Sequence, residues 1–189
     1  MTDLKQELLD KLRASRAVML DKLDGLSEYD RRRPMTPTGT NLLGLVKHLA
    51  GLEYAYLGES FDRPAPEKLP WVEDGSVWDG ADMWATAEES SDYVVGLYRR
   101  ASAHADRTVT ELPLDTPGSV AHWPEHRRST TLGVLLIRMV DETAHHAGHA
   151  DIVRELIDGR GGPHQGVLDE SAWLAYVATV QAAADAFRP

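Results

Sequence analysis

The feature that most constrains this 189-residue chain is a helix-patterned run from Thr131 to Ile157. Leu132, Leu135, Leu136, Met139, Thr143, Ala150, Val153 and Ile157 recur in it at three- and four-residue spacing. Its middle, Asp141-Glu142-Thr143-Ala144-His145-His146-Ala147-Gly148-His149-Ala150, holds three of the eight histidines and a glutamate. Histidine and carboxylate three or four residues apart share one helix face, the geometry by which bundle proteins hold a metal. Two pairs compete, Glu142 with His146 and His145 with His149. At about 100° per residue the apolar stripe centres near Met139, Thr143 and Ile157, and His146 falls about 20–40° from that centre. Glu142 and His149 sit at the stripe's edge, whereas His145 is more than about 120° away and faces solvent. The inward pair is therefore Glu142 and His146, with His149 beside them.

The remaining pattern is also helical. Residues 3–25 carry Leu4, Leu8, Leu12, Met19 and Leu23 at helical spacing, and residues 28–39, with Arg31-Arg32-Arg33, Pro34 and Pro37, read as a connector with a solvated basic face. A second helix starts at Thr40 or Asn41, with Leu42, Leu45, Leu49, Leu52 and Tyr56 as its stripe and His48 at the stripe's edge. Glu53 projects within that stripe, and a buried carboxylate needs a partner. It either supports a metal-bound histidine through a hydrogen bond or pairs with an arginine of the connector. Residues 60–85 form a long loop with three tryptophans, Trp71, Trp78 and Trp84, which argue against disorder. Thr86-Ala-Glu-Glu89 is a capping-box pattern that opens a third helix with Val94, Leu97, Tyr98, Ala101 and Ala105 inward, ending near Thr108. A second long loop, residues 118–129, contains His122-Trp-Pro-Glu125-His126. That spacing matches a metallopeptidase signature, but the signature needs a helix, and Pro124 blocks a helix interior. Ser129 or Thr130 caps the long run, which ends at Gly159. The glycine-rich stretch 159–166 follows a helix and not a strand, so it is a C-cap and turn and not a phosphate loop. Asp169 opens a last helix with Trp173, Val177, Val180, Ala184 and Phe187 inward. With no repeat and no convincing strand, the expectation is a single all-α domain over residues 1–189: an antiparallel four-helix bundle with an additional C-terminal helix and two long loops.

Composition narrows the chemistry. A formal charge of -10 argues against nonspecific nucleic-acid binding and against an anionic membrane surface. The absence of cysteine excludes a disulfide framework, a thiolate zinc site and a cysteine nucleophile, so any thiol in the chemistry arrives with a substrate. The charged start lacks a signal-peptide core and no run is long and apolar enough to span a membrane, so the expected place is the cytoplasm.

A zinc-like ion needs about three protein ligands with one position left for chemistry. Glu142 and His146 supply two, and His48 is the histidine inside another strongly periodic helix; His104, His122, His126 and His164 fall at a helix end or in loops. His48, Glu142 and His146 make a facial triad of the kind that suits Zn, Ni or Fe(II). The competing view makes His146 and His149 core histidines bonded to Glu142. A di-iron carboxylate site would need a second Glu-x-x-His besides Glu142-Thr-Ala-His145, and the sequence has none.

The segments Leu42-Leu-Gly-Leu-Val-Lys-His48-Leu-Ala-Gly-Leu-Glu53 and Asp141-Glu-Thr-Ala-His-His146-Ala-Gly-His149-Ala-Asp-Ile-Val-Arg-Glu155 resemble the two signature segments of the DinB-like superfamily. They look closest to its mycothiol-dependent S-transferase branch, and the resemblance runs from the second helix through the Gly159 turn. It implies a four-helix bundle whose divalent metal is held by one histidine on the second helix and a pair spaced four apart on a later one. Carried over, those positions are His48, Glu142 and His146. It further implies a metal-dependent transferase or isomerase that uses a small-molecule thiol, of the mycothiol or bacillithiol kind, and an electrophilic substrate. A thiol at the metal loses its proton and becomes a nucleophile at neutral pH. Trp71, Trp78, Trp84 and Trp123 then offer apolar walls, and Arg127 or Arg128 can meet a carboxylate or sugar hydroxyls. A hydrolase using metal-bound water and a metal-holding bundle without turnover stay as alternatives, in a monomer or homodimer.

Overall fold

Short polar side chains start most of the helices. In this computed structural model, which describes residues 3–162 and 165–189, the elements in chain order are α1 (Leu4–Asp21), α2 (Glu28–Arg32), α3 (Leu42–Leu57), α4 (Pro70–Glu73), α5 (Ser91–Glu111), β1 (Pro117–Ser119), α6 (Glu125–Arg128), β2 (Ser129–Thr131), α7 (Leu132–Asp158) and α8 (Glu170–Asp185). Asp3, Ser27, Asn41, Ser90 and Asp169 each accept a hydrogen bond from a first-turn amide of the helix that follows.

Four long helices, α1, α3, α5 and α7, build the bundle: α3 packs on α5 and α7, and α1 on α7. At one end the core joins Met19 and Leu23 with the first half of α3, Val94 to Ala101 of α5, and Ala147, Ala150 and Val153 of α7. At the other it joins Leu9 and Leu12 with Tyr56 and Leu57, Ala105 and Val109, and Leu132 to Met139. These groupings fix the directions. Helix α3 runs opposite to α7 and to α1, and the crossover 58–90 carries the chain back along the bundle so that α5 runs alongside α3. Leu12, Leu43, Leu49, Leu97, Leu132 and Leu135 keep no exposed surface, and each such burial contributes about 1.5–3 kcal/mol.

Several local expectations are corrected. The segment after α1 is not only a connector: Glu28–Arg32 is a helix capped by Ser27, and Arg32 donates to the carbonyls of Thr86 and Glu89 instead of lying solvated. The Thr86–Glu89 box forms a turn, with Glu89 Oε2 accepting from the Thr86 amide at 2.8 Å, but the helix starts later, at Ser91, and runs on to Glu111. Neither Ser129 nor Thr130 caps α7, because both pair in a short antiparallel ribbon with register Gly118↔Thr130 and Ser119↔Ser129. That ribbon is the strand pair the periodicity could not show, since three residues carry no alternation. The first amides of α7 go instead to loop carbonyls, Leu132 to Thr116 at 3.0 Å and Gly133 to Leu114 at 2.8 Å. Helix α8 forms behind its Asp169 cap but buries no residue: Val177, Val180 and Phe187 lie on an exposed face and not inward. No helix among the described residues is long and apolar enough to cross a membrane.

Candidate metal centre

Because α3 and α7 are opposed, the front of one meets the back of the other. His48, near the middle of α3, thus lies against His146, at the middle of α7, with ring centroids 5.1 Å apart and edge to face. Glu142, one turn before His146, brings Oε2 to 3.9 Å from His146 Nε2. One donor atom each from His48, Glu142 and His146 falls within 4.8 Å of the other two, the one such group of three among the described residues. His145 points away and pairs with Asp141 at 3.4 Å on the exposed face. His149 is also exposed, and meets the group edge to face with the His146 ring at 5.5 Å, its Nδ1 3.5 Å from His146 Nδ1.

The orientation of His48 comes from a residue the periodicity gave no reason to single out. Asp82, in the 3-10 turn Ala81–Met83 of the crossover, sits 2.6 Å from His48 Nδ1. A carboxylate there accepts a hydrogen bond from Nδ1–H and leaves Nε2 as the free nitrogen, the arrangement that metal-ligating histidines use. Three neighbours hold that turn on α3. Asn41 donates to the Met83 carbonyl at 3.1 Å. Lys47, buried beside His48, donates to the carbonyls of Ala81 and Trp84 and to Glu89. Gly44 lets the turn approach, for a Cβ there would lie 1.8 Å from the Met83 carbonyl oxygen. The sequence signal was this glycine, isolated in an apolar helix start, which marks close backbone contact with something not yet identifiable.

Burial, reinforced by His48, His149 and His145, pushes the His146 imidazole down to about 4. At neutral pH it therefore holds a free lone pair, as a ligand must. Two imidazole nitrogens and one carboxylate oxygen, with a carboxylate behind one imidazole, form a donor set that fits Zn, Ni or Fe(II).

Glu53 plays no part in this group. Both its oxygens take the fork of Arg16 on α1, at 2.6 and 2.7 Å, and Arg16 also reaches Asp106 on α5. The partner is thus neither a ligand histidine nor a connector arginine. His104 bonds the Arg63 carbonyl at 2.9 Å, and His126 lies in the single turn α6. Glu125 and His126 form no metal group with His122. His164, together with Pro163 of the glycine-rich stretch, lies outside the described residues.

Through Arg138, Glu142 borders an aromatic cluster. Tyr56, two turns after His48, packs against Trp123 and His122 at 5.9 and 5.8 Å, and exposed Trp78 flanks His122 at 5.8 Å. Arg127 lies over Trp123, and Arg128 donates to the Trp123 carbonyl. Arg138 closes the row: it donates to Glu142 Oε1 at 3.0 Å and stacks on the Tyr56 and Trp123 rings. One of the expected walls is elsewhere: Trp71 is buried under Lys47. The Trp84 carbonyl accepts from Lys47, and its side chain is half exposed.

Fold and site together define an all-α bundle with a possible His–Glu–His metal triad between two of its helices. The family model for mycothiol-S-transferase matches residues 7–159, and the chain belongs to that family. Among solved structures it is similar to a conserved protein from Enterococcus faecalis, with a TM-score of 0.63 at 14% identity, over 84% of this chain and 99% of the other. At that identity the likeness speaks for the fold. No curated protein matches the sequence significantly.

Proposed function

We propose that this chain is a divalent-metal-dependent transferase that presents a low-molecular-weight thiol such as mycothiol, in the cytoplasm, to an electrophilic substrate, with His48, Glu142 and His146 holding the metal, most simply zinc. The observation that carries this is the convergence of those three donors in a chain that belongs to a thiol-transferase family and has no cysteine of its own. An ion held there supplies the positive charge that keeps a bound thiol sulfur deprotonated at neutral pH. In the reaction the thiol proton leaves to solvent, the sulfur forms a bond to the electrophilic atom, and the leaving group departs with the electrons of the broken bond. The protein's share is placement. Asp82 fixes the His48 ring, burial keeps His146 neutral, and Trp123 with Arg127 and Arg128 borders the space where the reactants' bodies lie. His149, against His146 Nδ1, steadies that ring from the solvent side.

The test is calorimetry of the thiol and of its methyl thioether in two buffers of different ionisation enthalpy. The thiol, with an ordinary pKa of about 8.5, should bind with release of a proton, and the thioether far more weakly and without one. Equal affinity with no buffer-dependent heat would rule out thiolate binding and leave a hydrolase or a binding protein.

A further inference from the structure

Arg138 is more elaborately held than a helix-surface arginine needs to be. Its guanidinium carbon lies 4.9 Å from the Tyr56 ring centroid and 5.4 Å from that of Trp123, so its planar fork is fixed between two faces. Its Nε is buried without a hydrogen-bond partner, and among the described residues its one ion pair is with Glu142. As a purely structural pair this is a weak design. An arginine four residues before a glutamate is the less favourable order on a helix, and half-exposed pairs contribute about 0–1 kcal/mol. Nor does such a pair require an aromatic clamp.

Charge points the same way. On a chain of net charge -10, Arg127 and Arg138 both lie over the Trp123 ring and Arg128 bonds its carbonyl. A local excess of guanidinium groups around one apolar face attracts anions with flat or apolar bodies. Glu142 connects this place to the triad, since Oε1 faces Arg138 while Oε2 lies 3.9 Å from His146 Nε2.

We infer that Arg138 is the anchor for a carboxylate on one of the two reactants, whose apolar body lies along Tyr56 and Trp123. This rests on the transferase reading for the word reactant, but the binding itself does not depend on transfer. The chemistry is that of a small organic acid; it is carried either by the thiol or by the electrophile.

The experiment compares 3-phenylpropionate with 3-phenylpropanamide by calorimetry on the full chain. The acid should bind about tenfold tighter, the share a charged hydrogen bond supplies. Arg138→Met should abolish that preference, and Arg138→Lys should keep part of it. Glu142→Gln removes the internal carboxylate that competes for the same fork, and, with both proteins stripped of metal by a chelator, should tighten the acid while leaving the amide unchanged. A merely structural Arg138 would give no such tightening. Should Arg138→Met fail to fold, the Lys and Gln variants still decide. Equal binding of acid and amide to the native protein, or an unchanged preference in Arg138→Met or Glu142→Gln, overturns the inference. Competition identifies the source: displacement of a carboxylate-bearing thiol such as bacillithiol by the acid, with mycothiol, which has no carboxylate, left in place, assigns the carboxylate to the thiol, and simultaneous binding of acid and either thiol assigns it to the electrophile. If the acid binds as expected but thiols bind without proton release, the carboxylate site stands and the transferase reading falls.

Discussion

The cluster around Glu53 and the cluster around His48 grow from the same helix, yet they are built on opposite terms. Glu53 has no exposed surface, and both its oxygens are bonded. Arg16 takes both carboxylate oxygens and spends its remaining reach on Asp106, which ties α1, α3 and α5 together. Around His48 the acceptors face one another. His48, Glu142 and His146 keep 19, 26 and 14% of their side-chain surface exposed, and the 3.9 Å between His146 Nε2 and Glu142 Oε2 is too long for a hydrogen bond. A polar cluster closed within the protein holds elements together. One left with converging lone pairs and a path to solvent is suited to a ligand.

Three substitutions break this comparison most strongly. His48→Ala and His146→Ala should each take the metal content from one divalent ion per chain to none, measured on dialysed protein. Stability of the metal-free fold should change by no more than about 1 kcal/mol. Stoichiometric metal in either variant would show that the triad is wrong. Glu53→Ala should do the reverse. Arg16 would be left buried beside Asp106 alone, at a loss of about 3–5 kcal/mol in urea unfolding, with metal content unchanged at temperatures where the variant is folded. Metal loss from folded Glu53→Ala protein would mean that the two clusters are coupled.

The next effect sharpens the role of the crossover. Asp82→Asn keeps the shape but replaces the acceptor behind His48, and metal affinity by chelator competition should fall about 10–100-fold. Gly44→Ala touches neither His48 nor Asp82, yet it displaces the Met83 carbonyl and should weaken the metal in the same direction. Wild-type affinity in Gly44→Ala would show that the close approach of the crossover is not what positions the histidine.

How much of this was legible follows from the range of each signal. The positions of His48, Glu142 and His146 on their helices follow from an angle of about 100° per residue, a local quantity that sequence carries in full. The partner of Glu53 does not, because Arg16 lies on another helix and its match depends on how α1 sits against α3. Asp82 was hidden for the same reason, in a loop without periodicity whose path is set by Asn41, Gly44 and Lys47 acting together. Arg138 is not legible in the sequence because its significance lies in the rings it meets, Tyr56 and Trp123, and not in its place on α7. Helix α8 shows the opposite failure. Its spacing of apolar residues is real, but a stripe states only that a face is apolar and not that anything covers it.

The ion pair at the end of α7 predicts an acid sensitivity of its own. Arg154 is buried at the end of α7, donates to the carbonyls of Lys22 and Asp24, and forks onto Asp158. That hydrogen bond holds the Asp158 carboxyl below its usual range. The unfolded chain therefore binds the proton first as pH falls. The contribution is complete above the unfolded value of about 3.9 and disappears as pH drops through the lower folded value. Asp158→Asn should be less stable at pH 7 by up to about 1 kcal/mol, and the two proteins should converge in denaturant titrations at about pH 2. A gap that persists there would mean that the Asp158 contact acts by shape and not by charge.

The smallest effect expected is the most selective. His145 and His149 are spaced as Glu142 and His146 are, so spacing alone cannot say which pair faces the metal. The structure puts His145 on the outer face of α7, where its one ion pair, with Asp141, has both side chains 67% exposed. Such pairs contribute about 0–1 kcal/mol. In His145→Arg the new guanidinium can keep the pair with Asp141 across the same turn, and a long cation on a solvated helix face disturbs no packing. Metal content and unfolding midpoint should therefore match the native protein within error. His149→Ala sharpens the result, because His149 approaches His146 but offers no donor to the group: metal should weaken and not vanish. If His145→Arg came out metal-free with its fold intact, the ligands would be His145 and His149. Helix α7 would then have to turn its outer face to the metal, leaving His146 a core histidine beside Glu142.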